Sequence, residues 1–264
     1  MQNKLTSCGL IAQKHDPDRF FLSLLAKPEP QPALWALIAF HFEIARTREM
    51  VTDTTMGLIR LQWWKDALKK FYKDGVVTKH EVMSELCAVI VKYNLPHDLF
   101  EALIIAREFD IEDRVPSSEA GLLAYLDYTQ TPFLQLMNKI CGTDEDEQVL
   151  QSIAQAYGLI GVLRAFVFHA RARRCYLPDA HFVNLENVYA LSNPDEIKNS
   201  SQILCGRVND ILKNVKLRSS MFRGYKALTA LYLKQIEQLD YDIMSPRLLV
   251  PPAFKQLRVL LGSL

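Results

Sequence analysis

Apolar residues recur at steps of three and four along almost the whole chain, a period that sets one face of an α-helix and leaves few architectures other than packed helices. Leu34, Leu37, Ile38, Phe42 and Ala45 trace one such inner face, of a helix running to about Met50, and Leu58, Leu61, Trp64, Leu68 and Phe71 trace another. No convincing alternation of the kind that builds a half-buried strand appears, and 10 glycines and 12 prolines in 264 residues are sparse for an all-β chain. The punctuation agrees. Asp16-Pro17 offers a cap followed by a first-turn proline, Asp53 offers a second cap, and Asp74-Gly75 is a stop. Pro28, Pro30 and Pro32 read as an extended link. Further helical patterns cover roughly residues 79–93, 97–113, 119–140, 145–171, 202–215, 219–239 and 251–261, while 178–199 reads as an irregular excursion with a short helix. The expectation is about ten helices in one all-α domain over residues 1–264, with 1–15 a flexible lead-in.

Composition narrows the function classes. The 31 basic and 30 acidic residues leave a net charge of +1, so no global field draws a polyanion and no nucleic-acid partner is expected. Five dispersed cysteines, without a C-x-x-C pair or a Cys/His cluster, fit a reducing compartment and not a metal knuckle. The longest apolar stretch, Ala33 to Ala45, is interrupted by His41 and Glu43 and falls short of the roughly 20 residues that span a bilayer. The first fifteen residues lack the marks of a secretory or organelle leader. A cytoplasmic chain, or one already trimmed, is expected.

Four constellations mix charge with apolar surroundings. Residues 40–49 place Glu43 and Glu49 beside Arg46 and Arg48. Residues 57–66 carry Arg60 and adjacent tryptophans, Trp63 and Trp64, which point to different sides of one helix and read as packing. The run from Arg107 to Arg114 reads, taken alone, as a solvated face. In residues 161–178 an apolar helix turns abruptly basic, and Arg164, set among Leu159, Ile160, Val162, Leu163 and Phe166, needs a partner or an anion.

Taken in order, these segments resemble the squalene/phytoene synthase family from about His15 to beyond Tyr241. The likeness rests on residues 32–40, on Arg60 to Leu68, on Phe109-Asp110, on Tyr125, and on Leu163-Arg164 through Tyr176-Leu177-Pro178. It implies an isoprenoid-synthase fold whose helices surround a central cavity for prenyl diphosphates. Active members hold Mg²⁺ there with two D-x-x-x-D motifs, since carboxylates at i and i+4 share a helix face and hard cations neutralise the departing diphosphate. Here the motifs fall on Ala45 to Glu49 and on Ala165 to His169, so that of the four acids only Glu49 remains. No cofactor is expected, and Mg²⁺ only if the chain is active after all.

Within the family the chain is most similar to the branch that contains the mitochondrial complex I assembly factor and its bacterial relatives, through residues 39–45, 59–65 and 163–170. That likeness implies a non-catalytic protein whose partner is a respiratory-complex subunit or assembly client, with a prenyl diphosphate or lipid as ligand, and the mitochondrial matrix as its place if it is a trimmed organelle protein. Peripheral contact with a membrane is expected separately, through an amphipathic face or the apolar segment from Leu248 to Pro252. The alternative is a prenyltransferase of squalene, phytoene or carotenoid synthesis, to which Asp110, aligned with an acid of active members, lends support. Candidate ligand residues are Arg46, Glu49, Arg60, Asp110, Arg164, His169, Arg171, Arg174 and Tyr176. No catalytic residue is assigned. Arg164, Arg171 and Arg174 are suited to phosphate oxygens without a metal.

Overall fold

The structure, a computed structural model, describes residues 5–264. Among the described residues there are helices, turns and no strand. Backbone contacts gather the chain into two compact units, one of residues up to Glu112 together with Pro132–Glu145, the other of Asp113–Thr131 with Asp146–Leu264.

In the first unit the helices are α1 (Ser7–His15), α2 (Pro17–Ser23), α3 (Gln31–Ala45), α4 (Thr47–Met50), α5 (Thr54–Asp74), α6 (Glu81–Tyr93), α7 (His97–Ala106) and α8 (Glu108–Ile111), joined by the later part of α9 (Glu119–Cys141). The caps are those the residue types favour: Asp16 accepts from Arg19 N–H, Asp53 from Met56 N–H, and Gly75 takes the left-handed conformation that ends α5. α3 is buried on every side from Ala33 to His41, a core helix and not the one-faced stripe expected, and α1, α2 and α6 pack around it. Phe40 meets Trp64 and Phe100 edge-on at 5.4 and 5.5 Å.

Several expectations need correction here. Part of the expected flexible lead-in, Ser7–His15, is helix, with Cys8 and Ala12 buried and Thr6 capping Gly9 N–H. Pro30 and Pro32 open α3 instead of forming an extended link, because proline needs no N–H in a first turn. The helices expected over 97–113 and up to Met50 each break, at Arg107 and at Arg46.

The second unit holds the earlier part of α9, then α10 (Glu147–Arg164), α11 (Phe166–Arg171), α12 (Leu185–Tyr189), α13 (Pro194–Asn214), α14 (Ser220–Gln238) and α15 (Lys255–Ser263). Short 3-10 turns at Asp179–His181 and Pro246–Leu249 connect them. α13 and α14 pack on α10, and α9 comes close because a Cβ on Gly158 would lie 2.8 Å from Leu126 Cδ2. The pattern expected as one helix over 145–171 is two, broken at Ala165. α13 begins at Pro194 and not near 202, since Asn193 caps Glu196 N–H and the proline suits the first turn. Among the described residues no helix is long and apolar enough to cross a membrane.

Candidate functional site

In the first unit the degenerate motif sits on the break between α3 and α4. Ala45 ends α3, Arg46 adopts a helical φ of −76° with ψ at −3°, and Thr47 Oγ1 donates back to Glu43 O at 3.3 Å. The break turns Glu49 to the surface. The acid that matters locally is Glu43, six residues before the surviving motif residue and on the other side of the break. Its buried carboxylate takes Arg46 at 2.8 Å on one oxygen and Arg60 at 3.0 Å on the other. Arg46 also lies over the Phe42 ring at 4.9 Å, and the His15 ring stacks on the other partner of that contact, Phe42, at 4.3 Å. Desolvation first, then the charges of Lys14 and Arg46, hold the His15 imidazole below its ordinary range.

Asp110 is a different case, and the reading of its segment as a solvated face is overturned. Arg107 and Asp110 are both buried and paired at 3.1 Å, and Arg107 Nη2 lies 3.1 Å from His41 Nε2. On its other side His41 Nδ1 faces Arg19 Nη1 at 3.4 Å, and Arg19 pairs with Asp16 at 2.8 Å. Phe133 covers this chain of groups, 4.7 Å from both the His41 ring and the Arg19 guanidinium. Each guanidinium named here has an acid beside it, Arg19 with Asp16 and Arg107 with Asp110, which suits an interior network more than an anion or cation site. Glu112, Asp113 and Arg114 of the run are exposed, and Glu108 and Phe109 are half-buried.

In the second unit Arg164 finds the partner its apolar setting demands, with its guanidinium carbon 3.5 Å from the centroid of the Tyr232 ring. Ala165, at φ −89° and ψ 2°, breaks the helix, and α11 carries His169 toward Tyr176, whose rings meet edge-on at 4.7 Å. Tyr176 in turn stacks on Tyr125 at 5.5 Å. Arg174 N–H donates to His169 O at 2.9 Å, so the turn after α11 folds the basic run back over the histidine. Arg174 is half-buried and its buried Nε has no acceptor among the described residues, Arg171 is exposed, and Arg173 is held by Glu186 at 2.7 Å. The rings of His169 and Tyr176 are thus brought together, with the Arg174 backbone turned onto His169 and Arg171 exposed on the same turn, a local excess of basic groups.

One arrangement escaped sequence reasoning. His181 Nδ1 lies 2.8 Å from Ser200 Oγ, and its Nε2 lies 3.4 Å from Glu119 Oε1. The order of groups is that of a nucleophilic relay, yet Ser200 is 0% exposed, so no substrate reaches the hydroxyl and the set ties the Asp179–His181 turn to α13. The thiols are no better placed. Burial pushes Cys175 and Cys87 up to about 11 and Cys141 and Cys205 up to about 12, which leaves them protonated and poor nucleophiles.

The residues present do not fit the Mg²⁺ cluster of active relatives. Alanines occupy both leading motif positions, Glu49 is at the surface, and Glu43 is already taken by two guanidiniums. Asp53, one turn further on, is engaged as the cap of α5. Among the described residues no three His, Cys, Asp or Glu side chains gather as a metal-binding group.

The fold is shared with solved enzymes. Squalene synthase HpnC from Alicyclobacillus acidocaldarius is similar at a TM-score of 0.75 and 17% identity, over 89% of this chain and 93% of that one. A ligand-bound dehydrosqualene synthase is similar at a TM-score of 0.81 and 12% identity, over 97% of this chain and 93% of that one. Both carry the isoprenoid-synthase helical fold. Among curated proteins, the bovine (Bos taurus) and human (Homo sapiens) NADH dehydrogenase (ubiquinone) complex I assembly factor 6 are 28% and 26% identical, each match spanning 91% of this chain and 76% of the relative. The Dictyostelium discoideum homologue is 24% identical over 66% of this chain and 51% of its own length. Residues 12–254 match the squalene/phytoene synthase family, and with nearly the whole described chain inside that match the protein belongs to it.

Proposed function

We propose that this protein is a non-catalytic member of the family that serves the assembly of respiratory complex I. The single observation that carries the reading is the replacement chemistry at the motifs: Ala45 and Ala165 stand where acids would place the metal, and Glu43 is held by Arg46 and Arg60. Diphosphate ionisation needs charge stabilisation that these groups do not supply. The complex I assembly factor 6 proteins, matched over most of their length, support the same direction.

The ligand belonging to this reading is an isoprenoid or lipid with an anionic head. Its oxygens meet Arg174 and Arg171 beside His169 and Tyr176, while Arg164 stays on Tyr232. The client is a subunit or assembly intermediate of the complex, met at the face of the membrane that holds it.

A deletion strain assayed for NADH oxidation and for squalene or carotenoid content tests the proposal. Selective loss of NADH oxidation is expected. Selective loss of the terpenoid, or pyrophosphate release from farnesyl diphosphate and Mg²⁺ by the purified protein, reverses it in favour of a prenyltransferase.

A further inference from the structure

The last segment of the second unit keeps apolar side chains in water on a backbone that is firmly pinned. Gln235 Nε2 donates to Val250 O at 2.8 Å and to Arg247 O at 3.3 Å, and Arg223 Nε donates to Ser263 O at 2.8 Å. α15 lies tight against α14, since a Cβ on Gly262 would stand 2.7 Å from Ala227 Cβ. Val259 and Ser263 face inward. Outside remain Leu249, Phe254, Leu257, Leu261 and Leu264, with Phe254 78% and Leu264 82% exposed. Phe254 is held there at φ 54° and ψ 34°, a left-handed conformation that aromatic residues rarely adopt. Pinning and strain together present these side chains outward instead of letting them fold under.

The charge on this face has one sign. No Asp or Glu occurs from Ile243 to Leu264, whereas Arg247, Lys255 and Arg258 do. Arg247 and Arg258 join Lys234 around a groove of about 380 Å³, walled by Leu231, Val250 and Pro252, with no acid in its lining. The nearest preceding acids are Asp240, which pairs with Lys198, and Asp242, which caps Met244 N–H.

Exposed aliphatic and aromatic side chains ringed by lysine and arginine match the two layers of a bilayer surface, acyl boundary and anionic headgroup. A second copy of the chain would bring like charges together. We propose that this face docks on a membrane containing anionic phospholipid, the groove taking the headgroup phosphate while Phe254, Leu257 and Leu261 enter the acyl boundary. The inference deepens the membrane side of the proposed function and rests on that reading only for the identity of the membrane met.

Flotation of the purified full chain with vesicles tests it, comparing phosphatidylcholine alone with vesicles carrying about one third phosphatidylglycerol. Binding is expected to the anionic vesicles, weakening as salt rises. Leu257→Asp with Leu261→Asp, and separately Arg247→Glu with Arg258→Glu, should each weaken it about tenfold or more. All four positions are at the surface, and unchanged circular dichroism shows that the variants fold. Equal binding to both vesicle types, no effect of either pair, or full displacement by millimolar inorganic phosphate overturns the proposal. So does a dimer seen by ultracentrifugation that the Leu257/Leu261 variant abolishes while vesicle binding persists. Failure to bind vesicles in a protein still required for NADH oxidation removes the docking face and leaves the assembly role standing.

Discussion

Glu43 shows how a single side chain redirects a site. A carboxylate with 6% of its residue exposed serves two guanidiniums, each about one third accessible at 31% and 32%. Glu43→Gln keeps the shape and removes the charge, leaving two cations facing each other. Because both arginines retain solvent, the loss should be moderate, about 1–2 kcal/mol by urea denaturation, and Arg46→Gln in the same chain should return part of it. The neighbouring His15 gives a prediction with a definite sign. Its folded pKa lies below 6.5, so the unfolded chain binds more protons in the window between the two values. Stability from this group is full above 6.5 and declines as pH falls through that window; NMR titration of His15 checks the direction, and His15→Gln should flatten the slope. Sequence patterns exposed Glu43 and Arg46 as a mixed-charge helix end, but not their pairing. Arg107 and Asp110 were harder still: an acidic and basic run looks solvated until His41, 66 residues away from Arg107, closes over it. Pairing across such distances leaves no trace in local spacing.

At the scale of elements, three continuous periodic patterns became three broken helices, at Arg46, Arg107 and Ala165. The apolar period persists through a tight turn, so periodicity alone could not mark the interruptions, whereas caps such as Asp16, Asp53 and Gly75 were legible because each has a local chemical reason. Close helix approach is also set by single residues. Gly57 on α5 faces Ile111 of α8, and a Cβ there would stand 2.7 Å from Ile111 Cδ1. Gly57→Val should therefore cost about 2–3 kcal/mol in thermal or urea unfolding. Ile111→Ala added to it should recover stability relative to the single variant, an unusual sign for a core truncation and a direct test of the contact.

At the scale of the whole molecule, the helical class and the family were readable because stripes, caps and motif neighbours extend over most of the chain, and residues 12–254 match the family. The motifs' missing acids carry the expectation about chemistry. Purified protein given farnesyl diphosphate and Mg²⁺ is expected to release no pyrophosphate above background, measured by a phosphate-coupled assay. Of the C-terminal face only the apolar run from Leu248 to Pro252 was legible, because the rest depends on which leucines remain outside after folding. The first unit has one further property that bears on how the protein is made. Its residues are not contiguous: the stretch up to Glu112 is completed only by Pro132–Glu145, and Phe133 from that return covers Arg19 and His41. A ribosome therefore delivers two guanidiniums, a histidine and two acids well before the ring that shields them, and the nascent unit stays wet at its centre until α9 has emerged. A fragment ending at Glu112 should accordingly exchange its α3 amide protons far faster than the full chain does, with the interior network left open to water.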